Sequence, residues 1–268
     1  MMKRLTSITL LSLASLFGCE RAPAPSTETP PTTSAVTLAV ASSVQFAMED
    51  LIKEYSEAHP EVAVKATYGS SGNFFAQIQN QAPFDLFLAA DMDYPGKLAK
   101  AGLALDDAVT CYAIGGLVLW VPNTSPLDVE KSGLQTLADP AVKKIAIANP
   151  KLAPYGAAAI AVIQTLATHA EIESKLVLGE NITQTAQFVE SGAADIGFLA
   201  LSHAVSDKMK DKGRYWEVPA DAFRPIEQGL VLIKGTQNAE AARAFRDFVL
   251  GEAGGAALQR HGFRLPKP

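Results

Sequence analysis

The chain has 268 residues, of which 48% are hydrophobic, and it carries a formal net charge of −5 at pH 7. This size and composition suit one large domain or two lobes of ordinary size, each with a substantial hydrophobic core. The acidic balance argues against nucleic acid as a partner, because binding a phosphate backbone calls for a basic face. An anionic ligand would therefore have to be held by local dipoles and not by the overall field of the protein.

The first residues are typical of an export signal. Lys3 and Arg4 precede an apolar run that ends in the sequence Leu-Phe-Gly-Cys, whose last residue is Cys19. The run is too short to span a bilayer as a mature helix, but it suits a signal peptide. Because Leu-Phe-Gly-Cys is similar to a bacterial lipobox, we predict a signal peptide over residues 1–18 and lipidation of Cys19. The alternative is an ordinary cleavable signal that contains a cysteine by chance.

A proline-rich segment follows the predicted lipidation site. Residues 19–35 contain Pro23, Pro25, Pro30 and Pro31 among serine, threonine and alanine. Such a composition cannot build a core, so we predict an extended, disordered tether. The expected arrangement is a body that works in the periplasm and touches the membrane only through its lipid anchor.

From residue 36 onward, strand-like and helix-like patterns alternate along the chain. The predicted strands are 36–41, 62–68, 85–90, 117–121, 144–148, 195–200 and 230–233, and the predicted helices are 47–58, 73–80, 154–166, 182–189, 239–250 and 253–260, with a further helix after Asp91. This alternation predicts a doubly wound α/β body, with helices flanking each sheet.

Two clusters of hydroxyl side chains stand where a predicted strand gives way to a helix. The first is Ser42 and Ser43, and the second is the sequence Gly-Ser-Ser-Gly-Asn at 69–73. A helix start exposes unpaired backbone N–H groups and the positive end of the helix dipole. Serine hydroxyls add donors, and glycine lets an anion approach the backbone. Because no cation stands beside either cluster, the pattern predicts an oxyanion site made of neutral hydrogen bonds; plain helix capping is the alternative.

Several common catalytic motifs are absent from the sequence. There is no phosphate-binding P-loop, no dinucleotide-binding glycine pattern, no nucleophile elbow, and no His-Glu-x-x-His or Cys-x-x-Cys motif. We therefore predict a binding protein and not an enzyme, with no cofactor and no direct bond from the protein to a metal. A hydrolase that uses Ser71 remains an alternative, and it would need a histidine or lysine base near that serine.

Taken in order, five segments resemble the periplasmic molybdate-binding proteins of ABC transporters. They are Ala-Ser-Ser-Val-Gln-Phe-Ala-Met at 41–48, Gly-Ser-Ser-Gly at 69–72, Asp-Leu-Phe-Leu-Ala-Ala-Asp at 85–91, Pro-Tyr-Gly at 154–156 and Gln-Arg-His-Gly-Phe at 259–263. That family belongs to the type II periplasmic binding proteins. The resemblance implies two α/β lobes with the ligand in the cleft between them. Lobe 1 would comprise residues 36–115 plus 228–268, and lobe 2 residues 116–227.

The resemblance also implies a set of ligand-binding positions. The hydroxyl that follows the first strand corresponds to Ser43, and the hydroxyl of the Gly-Ser-Ser-Gly turn corresponds to Ser71. Two backbone N–H groups of the family correspond to those of Tyr155 and Ile182. All four groups can donate hydrogen bonds, which agrees with the donor chemistry of the two hydroxyl clusters.

A fifth ligand of the family, often a tyrosine hydroxyl, has no equivalent side chain here. Its position is occupied by Ala200, in the sequence Gly-Phe-Leu-Ala-Leu-Ser. A backbone N–H, for instance that of Ala200, or the hydroxyl of Ser202 would complete the coordination, or the coordination would remain incomplete.

The function implied by the resemblance is the capture of molybdate, and of tungstate as well, for delivery to an ABC permease. Molybdenum would be bound as its tetrahedral oxyanion, and the protein would act as a monomer. A binding protein for sulfate or phosphate is the main alternative. Hydrogen phosphate carries a proton that needs an acceptor, so a site made only of donors disfavours it.

Overall fold

The computed structural model describes residues 34–106 and 108–267. The predicted signal peptide, the Cys19 lipidation site and the tether up to residue 33 lie outside the described residues. The first strand begins at Ser34, two residues earlier than predicted, so the end of the predicted tether belongs to the folded body. Among the described helices, none is long and apolar enough to cross a membrane.

The described residues form two five-stranded sheets with flanking helices, which confirms the predicted α/β class. The strands are β1 (Ser34–Ala41), β2 (Val62–Gly69), β3 (Leu86–Leu88), β4 (Thr110–Gly115), β5 (Leu117–Pro122), β6 (Ile145–Ala148), β7 (Leu176–Gly179), β8 (Ile196–Ala200), β9 (Gly213–Glu217) and β10 (Ile226–Leu232). The helices are α1 (Gln45–Ala58), α2 (Ser71–Gln79), α3 (Asp93–Lys100), α4 (Val129–Ser132), α5 (Pro154–Gln164), α6 (His169–Glu173), α7 (Ile182–Glu190), α8 (Leu201–Ala204), α9 (Ala239–Leu250) and α10 (Glu252–Arg260), with 3₁₀ turns at Ser42–Val44 and Gly133–Ala138.

Each sheet is the centre of one lobe. The sheet of the first lobe has the order β2-β1-β3-β10-β4, and that of the second lobe has the order β7-β6-β8-β5-β9. The strands β1, β2 and β3 run parallel, as do β6, β7 and β8, whereas β10 and β5 are antiparallel to their neighbours. Parallel strands in both lobes align their carboxyl ends along one edge, which is where open α/β sheets bind ligands.

The central strands are buried on both faces. In β1, Leu38 packs with α1, α9 and α10 on one face, while Ala39 packs with Phe74 and Ile78 of α2 on the other. Because helices cover both faces, these strands are near-continuous apolar runs, and they could be predicted from the sequence. The strands β4, β7 and β9 were not predicted; all three are edge strands, and about half or more of the side chains in each are half-buried or exposed.

The chain passes between the two sheets at two places. Gly116 alone separates β4 from β5, and residues 218–225 connect β9 to β10. Both connections are short, and they run side by side because the strands that they join are neighbours in each sheet. Such a pair of connections can act as a hinge. The exact residue boundaries of the lobes remain a prediction.

Candidate functional site

A small cavity lies between the carboxyl ends of strands from both sheets. Its volume is about 10 Å³, and it is lined by the turns that follow β1, β2, β3, β6 and β7. The lining residues are Ala41, Ser42, Ser43, Gly69, Ser70, Ser71, Ala90, Ala153, Pro154, Tyr155, Asn181 and Ile182. One buried water molecule needs about 10–15 Å³ and sites for drug-sized ligands are typically ~300–1,000 Å³, so this cavity has room only for a very small ligand. The structure thus brings Ser43, Ser71, Tyr155 and Ile182 together around one space.

The first lobe contributes serine side chains that are almost fully buried. Ser43 and Ser71 are each 1% exposed. The Oγ atom of Ser71 accepts a hydrogen bond of 2.9 Å from the backbone N–H of Ala90. Because this bond uses a lone pair of the oxygen and not its proton, the hydroxyl of Ser71 is still able to donate to a ligand. The loop after β3 therefore orients this serine while leaving its donor free.

The second lobe contributes the starts of two helices. Pro154 is the first residue of α5 and Tyr155 the second, while Ile182 is the first residue of α7. The first N–H groups of a helix have no acceptor within the helix, and the dipole makes this end positive. The side chain of Asn181 accepts from the N–H of Gln184, so the cap at the start of α7 does not use the N–H of Ile182.

Close packing of α5 against β6 fixes the position of the Tyr155 N–H group. A Cβ atom at Gly156 would overlap the carbonyl oxygen of Ala148, the last residue of β6. It would also lie 3.0 Å from the backbone nitrogen of Pro150. Only a residue without a Cβ atom therefore allows the start of α5 to lie this close to the end of the strand.

Hydrogen bonds join the two lobes around the cavity. The N–H of Gly72 donates to the carbonyl oxygen of Leu152 at 2.9 Å, and the amide of Asn73 donates to Glu180 at 2.8 Å. On another side, the hydroxyl of Ser202 donates to the carbonyl oxygen of Ser43 at 2.6 Å. These bonds hold the cleft closed over the cavity.

The two residues considered for the fifth ligand do not line the cavity. The hydroxyl of Ser202 is engaged by the Ser43 carbonyl, and Ala200 is fully buried in the core of the second lobe. Ser70 lines the cavity instead, and its Oγ atom is buried with no hydrogen-bond partner among the described residues. Ser70 precedes α2 as its N-cap residue, yet its side chain caps no N–H group. The sequence contained this hydroxyl, but its pattern could not distinguish it from Ser71.

The cavity is neutral throughout. Its lining contains no side chain of lysine, arginine, histidine, aspartate or glutamate among the residues described. Burial raises the pKa of the Tyr155 hydroxyl well above its ordinary value, so this group stays protonated at neutral pH. The site therefore offers hydrogen-bond donors and no ionised acceptor.

Among the described residues, no histidine or lysine side chain is hydrogen-bonded to Ser71. The described residues place a backbone N–H, from Ala90, against its Oγ atom. His203 is buried near α7, and burial lowers its pKa to about 4. Its Nε2 atom faces the hydroxyl of Thr183 at 3.0 Å, so it is not paired with the serine.

Comparisons with known proteins identify the family. The model of the bacterial extracellular solute-binding proteins matches residues 36–264. The chain belongs to this family. The molybdate-binding protein ModA of Azotobacter vinelandii is 39% identical to this solute-binding protein over 230 residues, which are 86% of this chain and 90% of the relative. ModA of Rhodobacter capsulatus is 38% identical over 200 residues, 75% of this chain and 77% of the relative.

Solved structures agree with the sequence relationships. The periplasmic molybdate-binding protein of Azotobacter vinelandii superposes on this solute-binding protein with a TM-score of 0.80 and 32% identity, covering 87% of this chain and 100% of the other. The sulfate-binding protein SubI of Mycobacterium tuberculosis superposes with a TM-score of 0.74 at 16% identity, covering 88% of each chain, and shows the fold alone. The two-lobed type II periplasmic binding protein fold is thereby confirmed.

Proposed function

We propose that this chain is the substrate-binding component of a molybdate ABC importer, and that tungstate is a second ligand. The observation that carries the proposal is the closed, neutral cavity between the lobes, which is built from hydroxyl and backbone N–H donors. The relatives named as molybdate-binding proteins support the same ligand class. The proposed role is capture and delivery, without catalysis and without a bound cofactor.

We assign four donors to the oxyanion: the hydroxyls of Ser43 and Ser71, and the N–H groups of Tyr155 and Ile182. A tetrahedral dianion has oxygens pointing in four directions, so donors from two facing lobes can reach different oxygens. Ser70 is our candidate for the fifth donor, because its hydroxyl is buried at the cavity and has no hydrogen-bond partner within residues 34–106 and 108–267. Its place in the turn before α2 puts it beside Ser71 on the same lobe.

Selectivity follows from the donor chemistry. Hydrogen phosphate would bring a proton into a cavity that has no carboxylate to accept it, and an unpaired buried donor costs about 1–3 kcal/mol. Molybdate and sulfate are both fully deprotonated dianions at neutral pH, so charge does not distinguish them. We expect the width of the cavity to do so, since a smaller ion leaves donors on one lobe too far from its oxygens.

Ligand capture is expected to couple to lobe closure. An anion that touches both lobes binds the closed form more tightly than the open form, and so shifts the hinge equilibrium. We propose lobes of residues 36–115 plus 228–268 and of residues 116–227, with hinges at Gly116 and in the 218–225 connection. The permease would then recognise the closed form.

We further propose that the protein acts as a monomer in the periplasm. Residues 1–18 would be removed as a signal peptide, and Cys19 would carry the lipid that holds the body at a membrane through the proline-rich tether. A multiply acylated cysteine anchors stably, whereas one acyl chain binds weakly.

Thermal unfolding of the purified protein with different anions tests the ligand assignment. A ligand that binds only the folded state stabilises it by RT ln(1 + [L]/Kd), which is roughly 4 kcal/mol at a thousandfold excess over Kd. For a chain of this size that corresponds to an increase in Tm of roughly 10 °C. We expect this increase with molybdate and tungstate, and little change with sulfate or phosphate at equal concentration.

The same measurement separates the alternatives. An increase with sulfate or phosphate alone would move the assignment to that anion and leave the binding role intact. No increase with any of the four anions would contradict the proposed function altogether.

A further inference from the structure

A buried glutamine stands behind the cavity at the centre of a cluster of hydroxyl groups. Gln228, in β10, is 0% exposed. Its Oε1 atom accepts hydrogen bonds of 3.3 Å from the hydroxyls of Ser43 and of Tyr112, and its Nε2 atom donates to the hydroxyl of Tyr155 at 3.1 Å. One amide thus contacts the side chains of two proposed ligand residues, one from each lobe. Gln228 itself does not line the cavity.

The cluster is located where the chain passes between the lobes. Gly115 ends β4 at the first connection, and a Cβ atom there would overlap the hydroxyl of Tyr155 and lie 2.9 Å from Nε2 of Gln228. The pairing of β10 with β4 shifts register between Gln228 and Gly229. Such irregularities redirect a side chain out of the regular strand pattern. A glycine and a bulge together therefore make room for the amide between both lobes.

The donors and acceptors of this cluster leave one hydrogen bond free to move. The hydroxyl oxygen of Tyr155 accepts from the Gln228 amide, which fixes the orientation of that amide. The Ser43 proton is directed at Gln228 Oε1, which also accepts from the Tyr112 hydroxyl; the Tyr112 proton is shared between this oxygen and the carbonyl oxygen of Ala89. Ser43 can therefore turn its proton to an anion without leaving Oε1 unpaired.

Gln228 thus holds the Ser43 side chain in place at the cavity before an anion arrives, while the Tyr155 hydroxyl fixes the orientation of the amide. An anion then meets a hydroxyl that is already ordered, so binding does not include the entropic cost of ordering that side chain.

We propose that Gln228 is a positioning residue for anion capture, acting through Ser43 from the junction of the two lobes. The inference rests on the proposed function, because it requires an oxyanion that accepts from Ser43. Its consequence is that part of the anion affinity depends on a residue that does not touch the anion.

A double-mutant cycle tests the inference on the purified protein, with molybdate titrated by calorimetry. We expect Gln228→Met to weaken binding about fivefold, because Ser43 loses the hydrogen bond that orients it, which is worth about 1 kcal/mol. In a Ser43→Ala background the same substitution should change the Kd by less than about twofold, because its path to the anion has been removed. The matched control is Gln187→Met, at an exposed position of α7, which should leave the Kd unchanged.

Equal losses from Gln228→Met in both backgrounds would overturn the inference, since they would show a general packing effect. Wild-type affinity in Gln228→Met would overturn it as well. If that variant does not fold, Tyr155→Phe replaces it in the cycle, because this change removes the hydroxyl that orients the Gln228 amide and keeps the backbone N–H donor. If the wild-type protein does not bind molybdate, the proposed function itself is refuted. The titration of the wild-type protein alone shows this, before any variant is measured.

Discussion

Gly156→Ala is expected to destabilise the protein by about 3 kcal/mol or more and to abolish anion binding. The new Cβ atom would overlap the carbonyl oxygen of Ala148, which is backbone and has no rotamer to change. Relief requires α5 to move away from β6, and that movement displaces the N–H of Tyr155 from the cavity. Denaturant unfolding measures the first effect, and molybdate titration measures the second.

Gly96→Ala is the matched control for this prediction. Gly96 also lies within a helix, α3, but a Cβ atom there would meet nothing within 4 Å. Alanine favours a helix over glycine by up to about 1 kcal/mol, so we expect unchanged or slightly raised stability and normal binding. Equal stability of the two variants would show that α5 and β6 are not packed as closely as described.

Ser71→Ala is expected to have two separate effects. Loss of a donor to a charged ligand should weaken molybdate binding about 10- to 100-fold. The N–H of Ala90 would also lose its acceptor, and a buried unsatisfied donor costs about 1–3 kcal/mol of folding stability. Calorimetric titration and unfolding of the ligand-free protein measure the two effects independently.

Ser70→Ala provides the comparison, because the Ser70 hydroxyl is buried without a protein partner among the described residues. We expect weaker molybdate binding but a free energy of unfolding within about 0.5 kcal/mol of wild type, since this serine caps no N–H group. A loss of stability like that of an ordinary N-cap substitution, with unchanged affinity, would exclude Ser70 as the fifth donor.

Much of the fold and part of the site could be predicted because the relevant signals are local. The buried strands are short apolar runs, and the hydroxyl clusters immediately follow β1 and β2. The structure brings Ser43, Ser71, Tyr155 and Ile182 into one cavity because carboxyl ends of parallel strands meet at one edge. Their role as ligands remains a proposal.

The features that could not be predicted from the sequence depend on contacts between distant parts of the chain. Ser71 differs from Ser70 because the N–H of Ala90, in the loop after β3, donates to its hydroxyl oxygen. The three hydrogen bonds of the Gln228 side chain join it to residues that are 185, 116 and 73 positions away in the sequence. From the sequence, Ser202 was a candidate donor to the ligand. In the structure its hydroxyl donates to the carbonyl oxygen of Ser43 instead.

The most direct test of the central claim is a crystal structure of the molybdate complex with diffraction data collected at the molybdenum absorption edge. We expect one anomalous peak inside the cavity between the lobes. Oxygens of the anion should lie about 2.7–3.1 Å from the hydroxyls of Ser43 and Ser71 and from the backbone nitrogens of Tyr155 and Ile182. An anomalous peak elsewhere on the protein, or a cavity without molybdenum in a crystal grown at saturating molybdate, would contradict the proposal.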